Sequence, residues 1–392
     1  MADGGLQNES THGPTVMLLG SGEFSRELST ALRRLGVHVI VAGQRPDANV
    51  PADESLLIDL TNADELSAAI KGARPHFVVT ASDAVSTDAL AAAADGLATQ
   101  FVPSARCARL TADREALRRL AADELGLPTA PFWFAGSLDE LRAIADHAGY
   151  PLRVQPVAAA GADGQSVVLL PGDLEPAWQR AGSRRVLAEI LVEIDFRVTL
   201  LAVRGDGPSG PTLDFCQPIG HGDAVGDVQE SWQPQDLSPA ALDAARSIAA
   251  RVVKALGGRG LFGVELMVRG DEVYFNDVTA RPFETGLVTL RTQRLSEFEL
   301  QARAILGLPT DTIMISPGAA EVIYAGGDGV PHPRRGGALA EALRTTESDV
   351  RVFTRDESEA RRPLGVAVVT AADVITARGR ARDASAALRR LW

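Results

Sequence analysis

Lysine is almost missing from this chain of 392 residues: of its 39 basic residues, all but Lys71 and Lys254 are arginine. Acidic residues are in excess, at 51, and leave a net charge of −12. This balance excludes the basic field that attracts nucleic acid or an anionic membrane surface. No apolar run reaches the roughly 18 residues of a membrane span, and the polar start is unlike a signal peptide. We therefore expect a cytoplasmic protein that binds neither nucleic acid nor membrane.

Cysteine is also scarce, since only Cys107 and Cys216 occur and they form neither a spaced pair nor a metal-binding pattern. Free thiols in a reducing cytosol are the expected state. The length exceeds what one hydrophobic core usually supports, so we expect two or three domains.

The first hundred residues show the pattern of an open parallel sheet covered by helices. The near-continuous apolar run TVMLLG is typical of a strand buried on both faces, and an amphipathic helix is predicted over 24–35. Further strands at HVIVAG, 55–58 and 76–80 alternate with alanine-rich helices. Ligands bind such sheets at the carboxyl ends of strands, which places the Gly20–Glu23 turn at a site. A turn that only permits tight packing is the alternative.

A second unit is predicted after an arginine-rich helix over 112–126, where Pro128 breaks the pattern. It contains a predicted hairpin, PLRVQPVAAAGADGQSVVLL, with a loop of small residues over 158–164. Small residues let backbone N–H groups close around a phosphate. The loop holds no lysine and carries Asp163 at its tip, so its binding of a triphosphate stays open at this point. Further on, a long helix is predicted over 236–257, and short strands with a closing helix over 384–392 follow residue 318.

Two carboxylates, Glu265 and Asp277, occupy corresponding positions in strands predicted to form a hairpin around Gly270–Asp271. Facing residues of an antiparallel pair bring their Cβ atoms to about 5 Å. Carboxylates at that distance repel unless a cation lies between them, and Mg²⁺ prefers such oxygen ligands. A pair of exposed strand acids is the alternative. Asn276 and Arg281 flank the pair, and arginine suits a phosphate or a carboxylate.

Several stretches resemble one family: TVMLLGSGEFSREL, ADREALRRLAADELGLPT, ESWQPQ, GLFGVELMV, RPFETGLVTL and LSEFELQARAILGLP. From about residue 15 to 370 they are similar, in order, to the formate-dependent phosphoribosylglycinamide formyltransferases of the ATP-grasp superfamily. The resemblance implies an α/β and α+β chain. Its parts would be a disordered tail (1–14), a Rossmann-like domain (15–112), an ATP-grasp domain (113–317) and a small β-rich C-terminal domain (318–392). It also implies a homodimer that uses ATP and Mg²⁺ to activate formate as formyl phosphate and formylates the amine of glycinamide ribonucleotide.

Many positions match functional residues of that family. The resemblance makes Glu265 and Asp277 the magnesium ligands, the second shortened from glutamate. It assigns nucleotide contacts to Arg114, Gly161, Gly164, Gln165, Val192 and Glu189, the last on the adenine side. It assigns substrate contacts to Glu23, to Phe24 in place of leucine, and to Glu284 in place of aspartate.

Other positions depart from the family. On the nucleotide side, Gln155 replaces the family's phosphate-binding lysine, Asp163 replaces a cation of the loop, and Arg197 replaces the glutamate that binds the ribose. On the substrate side, Ala81 stands where the family has a glutamate, with Asp83 close by, and Phe283 stands where it has a histidine. The family's phosphate clamp is replaced by Arg355, Arg361 and Arg362.

These departures predict weaker ATP binding. A charge-assisted contact to phosphate contributes roughly 1.5–3 kcal/mol, and a neutral donor about half as much. Arg153 shares a strand face with Gln155 and could reach an α-phosphate instead. Arg197 offers no acceptor to a ribose and could pair with Glu189 or Asp163, filling the cleft.

Three functions are compatible with these residues. The main prediction is a divergent ATP-grasp enzyme that activates a formate-like carboxylate as an acyl phosphate. It would transfer the acyl group to a small anionic amine, an altered acceptor, in specialised metabolism. One alternative no longer uses ATP, either as a pseudoenzyme binding a small anionic ligand or as an ATP-independent catalyst. The second alternative is the ordinary formyltransferase of purine biosynthesis. His221, in a predicted lid loop, could be a surface or a functional residue.

Overall fold

The computed structural model describes residues 13–44, 50–82, 85–95, 98–157, 164–207, 210–222, 227–324, 335–353 and 363–392. The chain divides into two compact units, Met1–Ala105 and Arg106–Trp392. The domain boundaries predicted at residues 14, 112 and 317 stay predictions. Throughout the described ranges, no helix is both long enough and apolar enough to cross a membrane.

The first unit contains a parallel sheet of five strands, in agreement with the apolar runs of the sequence. The strands are β1 (Thr15–Leu19), β2 (His38–Gly43), β3 (Glu54–Leu57), β4 (Phe77–Thr80) and β5 (Gln100–Val102), in the order β3-β2-β1-β4-β5. The helices are α1 (Glu23–Arg34), α2 (Ala63–Ala73) and α3 (Thr87–Ala94). The central strand β1 is fully buried from Val16 to Leu19.

Two glycines shape the turn from β1 into α1. Gly20 and Gly22 have φ angles of 110° and 133°, a region that residues with a side chain rarely adopt. A Cβ on Gly20 would overlap Ser82, and the Ser25 hydroxyl donates to the Gly20 carbonyl at 2.8 Å. The turn therefore places Glu23 at the first position of α1, beyond the carboxyl end of β1.

The short helix α4 (Ala105–Ala112) precedes α5 (Arg114–Arg119), and α5 with the helical turn after it stands where the sequence predicts one helix over 112–126. Asp113 separates them because its carboxylate accepts the N–H groups of Glu115 and Ala116, at 2.9 and 3.1 Å. The chain then continues as a wider helical turn over Leu120–Glu124.

A small antiparallel sheet follows, and it includes the predicted hairpin. Its strands are β6 (Phe132–Ala135), β7 (Leu152–Pro156), β8 (Ser166–Val168) and β9 (Val186–Ile190), in the order β6-β9-β7-β8. The helices α6 (Leu138–Ala148) and α7 (Leu174–Arg180) supply Leu141 and Leu174 to the core that covers this sheet.

A large sheet forms the rest of the second unit. Its strands are β10 (Phe196–Gly207), β11 (Gly210–Phe215), β12 (Ile219–His221), β13 (Val228–Gln233), β14 (Gly260–Arg269), β15 (Glu272–Thr279), β16 (Gly318–Tyr324), β17 (Ser348–Val352) and β18 (Pro363–Thr370). Their order is β15-β14-β10-β12-β13-β16-β18-β17, and β11 pairs with β10. The helices are α8 (Pro239–Leu256), α9 (Thr289–Thr292), α10 (Glu297–Ile305), α11 (Arg335–Ala342) and α12 (Val374–Leu388).

The long helix α8 has the predicted ends, since Ser238 caps its start and Gly257 ends it. The closing helix differs from the prediction: α12 begins at Val374, well before residue 384. Asp373 fixes this start by accepting the Thr376 N–H at 2.8 Å. The alanines on the inner face of α12 then pack in the core beside β16 and β18.

Candidate functional site

The predicted carboxylate pair is present at the large sheet. Glu265 on β14 lies opposite Asp277 on β15, and a β-bulge follows this pair, so that Leu266 pairs with Phe275 and Asn276 is the extra residue. Bulges re-aim side chains, and here the Asn276 amide donates to Glu265 Oε2 at 3.2 Å. Both carboxylates are half-buried, so the alternative of two exposed strand acids is wrong.

The charges of this pair are only partly compensated within the chain. Burial raises the pKa of Glu265, opposed by the Asn276 hydrogen bond and by Arg197 and Arg153. Burial, followed by repulsion from Glu265, raises the pKa of Asp277 to about 6. Two acids that favour protonation for these reasons gain from a shared cation. The pair therefore fits the one or two carboxylates with which proteins usually hold Mg²⁺. Within the described residues, no group of three or more His, Cys, Asp or Glu side chains forms a denser metal site.

A buried network lies on the small sheet around Glu189. Its Oε1 is 2.6 Å from Arg118 Nη2, and its Oε2 accepts Arg153 Nη2 at 2.6 Å and Gln155 Nε2 at 3.2 Å. Glu189 is 1% exposed, and each of its three partners is buried as well. Gln155 and Arg153 share a face, as predicted. The described contacts of Glu189 are therefore with these neighbours on β7 and α5.

Arg153 connects this network to the carboxylate pair. Its Nη2 also donates to Asn276 Oδ1 at 3.0 Å, and Asn276 in turn donates to Glu265. Arg118 makes a second link, because its Nη1 donates to the Phe275 carbonyl at 3.2 Å. The sequence analysis missed Arg118. It lies four residues after Arg114, on the same face of α5, and that spacing would have indicated it.

Arg114 lies close to both groups of charges. Its Nη1 donates to the Pro156 carbonyl at 2.7 Å. Burial lowers the pKa of Arg114, with Asp277 opposing the shift and Arg153 adding to it. A buried guanidinium in this state gains from an anion beside it, as the predicted phosphate contact requires.

Arg197 and His221 are neighbours on adjacent strands, β10 and β12. Thr199 lies opposite Glu265, so Arg197 lies on the same face, two residues along β10, and its charge lowers the pKa of Glu265. Glu189, one of the two partners predicted for Arg197, contacts Arg118, Arg153 and Gln155. His221 is a buried strand residue, so the prediction of a lid loop is wrong: Ile219–His221 pairs with strands on both sides.

The loop over residues 281–286, whose last three residues begin the 3-10 helix Glu284–Val288, contains the predicted residues Arg281, Phe283 and Glu284. Glu284 is half-buried, and its charge raises the pKa of Glu265, as expected of a neighbour of the carboxylate pair. Arg281 Nη1 donates to the Pro282 carbonyl at 3.2 Å. Beneath the loop lies Glu297, which the sequence analysis missed; its exposed fraction of 0% distinguishes it from Glu299 in the same helical turn.

The first unit holds Glu23, Phe24 and Ala81. Glu23 is buried at the start of α1 and pairs with Arg26 at 3.0 Å. Ala81 follows β4, and its N–H donates to the Leu19 carbonyl at 3.0 Å. Because β1 and β4 are parallel neighbours, Glu23 and Ala81 lie at the same carboxyl edge, as the turn pattern predicted. Phe24, which follows Glu23 in the chain, is half-buried.

The phosphate loop is described only at its end. Gly164 has a φ of 71°, and a Cβ there would overlap Pro156. Gln165 and Val192 are half-buried. Six predicted site residues lie outside the described residues: Asp83, Gly161, Asp163, Arg355, Arg361 and Arg362.

Comparisons with known proteins identify relatives of both parts of the second unit. A model of the ATP-grasp domain matches residues 120–298, and a model described as PurT, C-terminal matches residues 318–388. The formate-dependent phosphoribosylglycinamide formyltransferase of Corynebacterium glutamicum (strain R) is 48% identical over 387 residues, covering 95% of this chain and 94% of the relative. The enzyme of that name from Rhodococcus jostii (strain RHA1) is 49% identical over 379 residues, covering 94% of each chain.

Solved structures agree with these relatives. The structure titled glycinamide-RNase-transformylase T, from Mycobacterium tuberculosis, has a TM-score of 0.82 at 54% identity and covers 95% of this chain and 99% of its own. An Aspergillus clavatus carboxyaminoimidazole ribonucleotide synthase has a TM-score of 0.83 at 20% identity, covering 97% of this chain and 99% of its own. The second likeness shows a shared fold.

Proposed function

The chain belongs to the formate-dependent phosphoribosylglycinamide formyltransferase family of ATP-grasp enzymes, and on this basis we propose that it catalyses the ordinary reaction of that family. In the first step, a formate oxygen takes the terminal phosphoryl group of ATP, giving formyl phosphate and ADP. In the second, the amine nitrogen of glycinamide ribonucleotide attacks the formyl carbon. Inorganic phosphate leaves and the amine loses a proton.

The observation that carries this proposal is the facing pair Glu265 and Asp277 beside buried arginines. The carboxylates favour protonation because burial raises the pKa of each, joined by repulsion from Glu284 at Glu265 and from Glu265 at Asp277. Arg114 has the opposite need, since burial lowers its pKa. A metal cation with a bound polyphosphate would place positive charge beside the carboxylates and negative charge beside Arg114.

Mg²⁺ held by Glu265 and Asp277 would offset the negative charge that develops on the transferred phosphoryl group. Arg114, whose charge interacts with that of Asp277, would bind phosphate oxygens. Arg281, in the loop beside Glu284, would position the formate carboxylate. Glu284 would orient the acceptor amine.

The comparisons favour the ordinary formyltransferase over the main prediction of the sequence analysis. Relatives of nearly half identity cover 94–95% of the chain and carry that activity in their names. An altered acceptor in specialised metabolism has no comparable support. The doubt about ATP also lacks support, because the ATP-grasp match includes the strands that hold Gln155 and Arg197.

The test is a reconstituted reaction of the purified protein with formate, ATP, Mg²⁺ and glycinamide ribonucleotide. We expect continued ADP release over many turnovers only with both formate and the ribonucleotide, and a formylated ribonucleotide detected by mass spectrometry. Asp277→Asn should abolish the product because it removes one carboxylate while keeping the side-chain size. Glu272→Gln, at the other end of β15, is the matched control and should keep the activity.

Two results would overturn the proposal. Formylation of another small anionic amine, with none of glycinamide ribonucleotide, would favour the altered acceptor. Absence of any formate-dependent ADP release would favour the alternative that no longer uses ATP.

A further inference from the structure

Glu297 is a fully buried acid that the proposed reaction does not use. It is the first residue of α10, and its exposed fraction is 0%. Its backbone N–H donates to Thr289 Oγ1 at 2.9 Å. The start of α10 does not depend on the Glu297 side chain, because Ser296 and Glu299 form a capping box there. The carboxyl group of Glu297 is therefore available to contact other residues.

That group lies under the loop over residues 281–286. Glu297 Oε2 accepts the backbone N–H of Phe283 at 3.1 Å. A Cβ on Gly286 would overlap the Glu297 carboxyl group, so the loop backbone rests directly on it. One side chain thus contacts the loop at two points.

A third contact holds the same loop. The Phe283 ring packs against Gly263 on β14, where a Cβ would overlap the ring. Gly263 lies two residues before Glu265, so the ring rests on the strand that carries a proposed magnesium ligand. Glu297 and Gly263 together hold Phe283, and Phe283 lies between Arg281 and Glu284 in the chain.

The charges of this region agree with a neutral acid at position 297. Burial raises the pKa of Glu297 well above its usual range, and the negative charge of Glu284 adds to this rise. The hydrogen bond from Phe283 and the positive charge of Arg281 oppose it. Glu284 also raises the pKa of Glu265. A protonated Glu297 accepts the Phe283 N–H without adding another negative charge beside Glu284 and the carboxylate pair.

We propose that Glu297 is a positioning residue: by holding the Phe283 backbone, it fixes Arg281 and Glu284 in the places from which they contact the reactants. This inference rests on the proposed function for its catalytic consequence. Its structural part, the anchoring of the loop, stands on the contacts above. The competing view is that Glu297 only stabilises the fold.

Three variants separate these views. Glu297→Ala removes the anchor, whereas Glu297→Gln keeps the size and offers an amide oxygen to Phe283 N–H without a charge. Glu299→Ala is the matched control: it breaks the capping box of the same helix, in which Glu299 Oε2 accepts the Ser296 N–H at 2.9 Å. It should lower the thermal midpoint without freeing the loop.

The first measurement is hydrogen–deuterium exchange of the peptide that covers residues 281–288, on the full chain, and it does not depend on activity. We expect faster exchange in Glu297→Ala, and parent-like exchange in Glu297→Gln and Glu299→Ala. Equal exchange in both alanine variants would overturn the inference, whatever the protein catalyses.

The second measurement is steady-state kinetics with formate, ATP and glycinamide ribonucleotide. Small misplacements of positioning groups cost on the order of a hundredfold in rate, so Glu297→Ala should lose about that factor in kcat/KM while Glu297→Gln stays near the parent. A loss in Glu297→Ala no larger than in Glu299→Ala would reduce Glu297 to a structural residue. An inactive parent protein would instead reject the proposed function, and the exchange result would still decide the anchoring.

Discussion

Arg153 on β7 directs both its Nε and its Nη2 at one oxygen of Glu189 on β9, at 3.1 and 2.6 Å. The two residues face each other in the register of the small sheet. Glu189, which the resemblance assigns to the adenine side, is thereby neutralised within the chain. Arg153 also reaches Asn276, so one side chain joins the small sheet to the carboxylate pair.

Loss of this pair should destabilise the protein. Removing one partner of a buried ion pair typically costs 3–5 kcal/mol, but Arg118 would still compensate Glu189, so we expect about 1–3 kcal/mol for Arg153→Met. The measurement is the thermal and urea unfolding midpoint. The control is Arg185→Met, which breaks the more exposed Arg185–Glu115 pair and should cost less than about 1 kcal/mol. Equal losses in both variants would contradict the importance of the buried network.

A lysine at position 155 should strengthen ATP binding. The Gln155 amide donates to Glu189 at 3.2 Å, and a lysine there would add a cation to the same place. One charge-assisted contact is stronger than a neutral one by about 1 kcal/mol or more, so we expect roughly a fivefold to tenfold lower Kd for Gln155→Lys. Isothermal titration of ATP with Mg²⁺ measures this, with Gln155→Met as the variant that has no donor. Unchanged affinity in both variants would mean that position 155 does not contact the nucleotide.

Stability should depend on the ionisation of Asp277 when Mg²⁺ is absent. Its pKa of about 6 in the folded protein lies above the ordinary value of 3.8, so the folded state binds more protons than the unfolded state between these pH values. Asp277 therefore lowers stability as the pH rises through this window, and it remains unfavourable above pH 6. We expect Asp277→Asn to unfold at a higher temperature than the parent at neutral pH, and at nearly the same temperature below pH 4.

Mg²⁺ should reverse that difference, because it binds the ionised carboxylates of the folded state only. Adding Mg²⁺ at neutral pH should raise the thermal midpoint of the parent and leave that of Asp277→Asn nearly unchanged. Below the pKa of Asp277 the rise should shrink, since protons compete with the metal. Equal stabilisation of both proteins would place the metal elsewhere.

Both thiols should be unreactive in the folded protein. Cys107 and Cys216 are buried and unbridged, and burial raises the pKa of each to about 12. Since the thiolate is the reactive form, a thiol reagent at pH 8 should label neither cysteine until a denaturant is added. Rapid labelling of either one in the native protein would show that its part of the core opens.

The sequence by itself was sufficient for the first four strands of the parallel sheet and for the facing of Glu265 and Asp277. A short apolar run such as TVMLLG, followed by a glycine turn, favours a strand buried on both faces, and a tight turn at Gly270–Asp271 sets the register of its hairpin. These are local constraints, so the pattern of neighbouring residues predicts them. The ends of α8 follow for the same reason, because a cap and a terminal glycine act on adjacent backbone groups.

Only the tertiary structure decided what the charged side chains contact. Arg153 and Glu189 are 36 residues apart, and Arg153 and Asn276 are 123 apart. Which charges neutralise one another depends on how β7, β9 and β15 meet, and the bulge at Asn276 changes the direction of a side chain within a strand. The contact of Glu297 with the Phe283 N–H also depends on the tertiary structure, because only the fold buries this acid beneath a loop that supplies a donor.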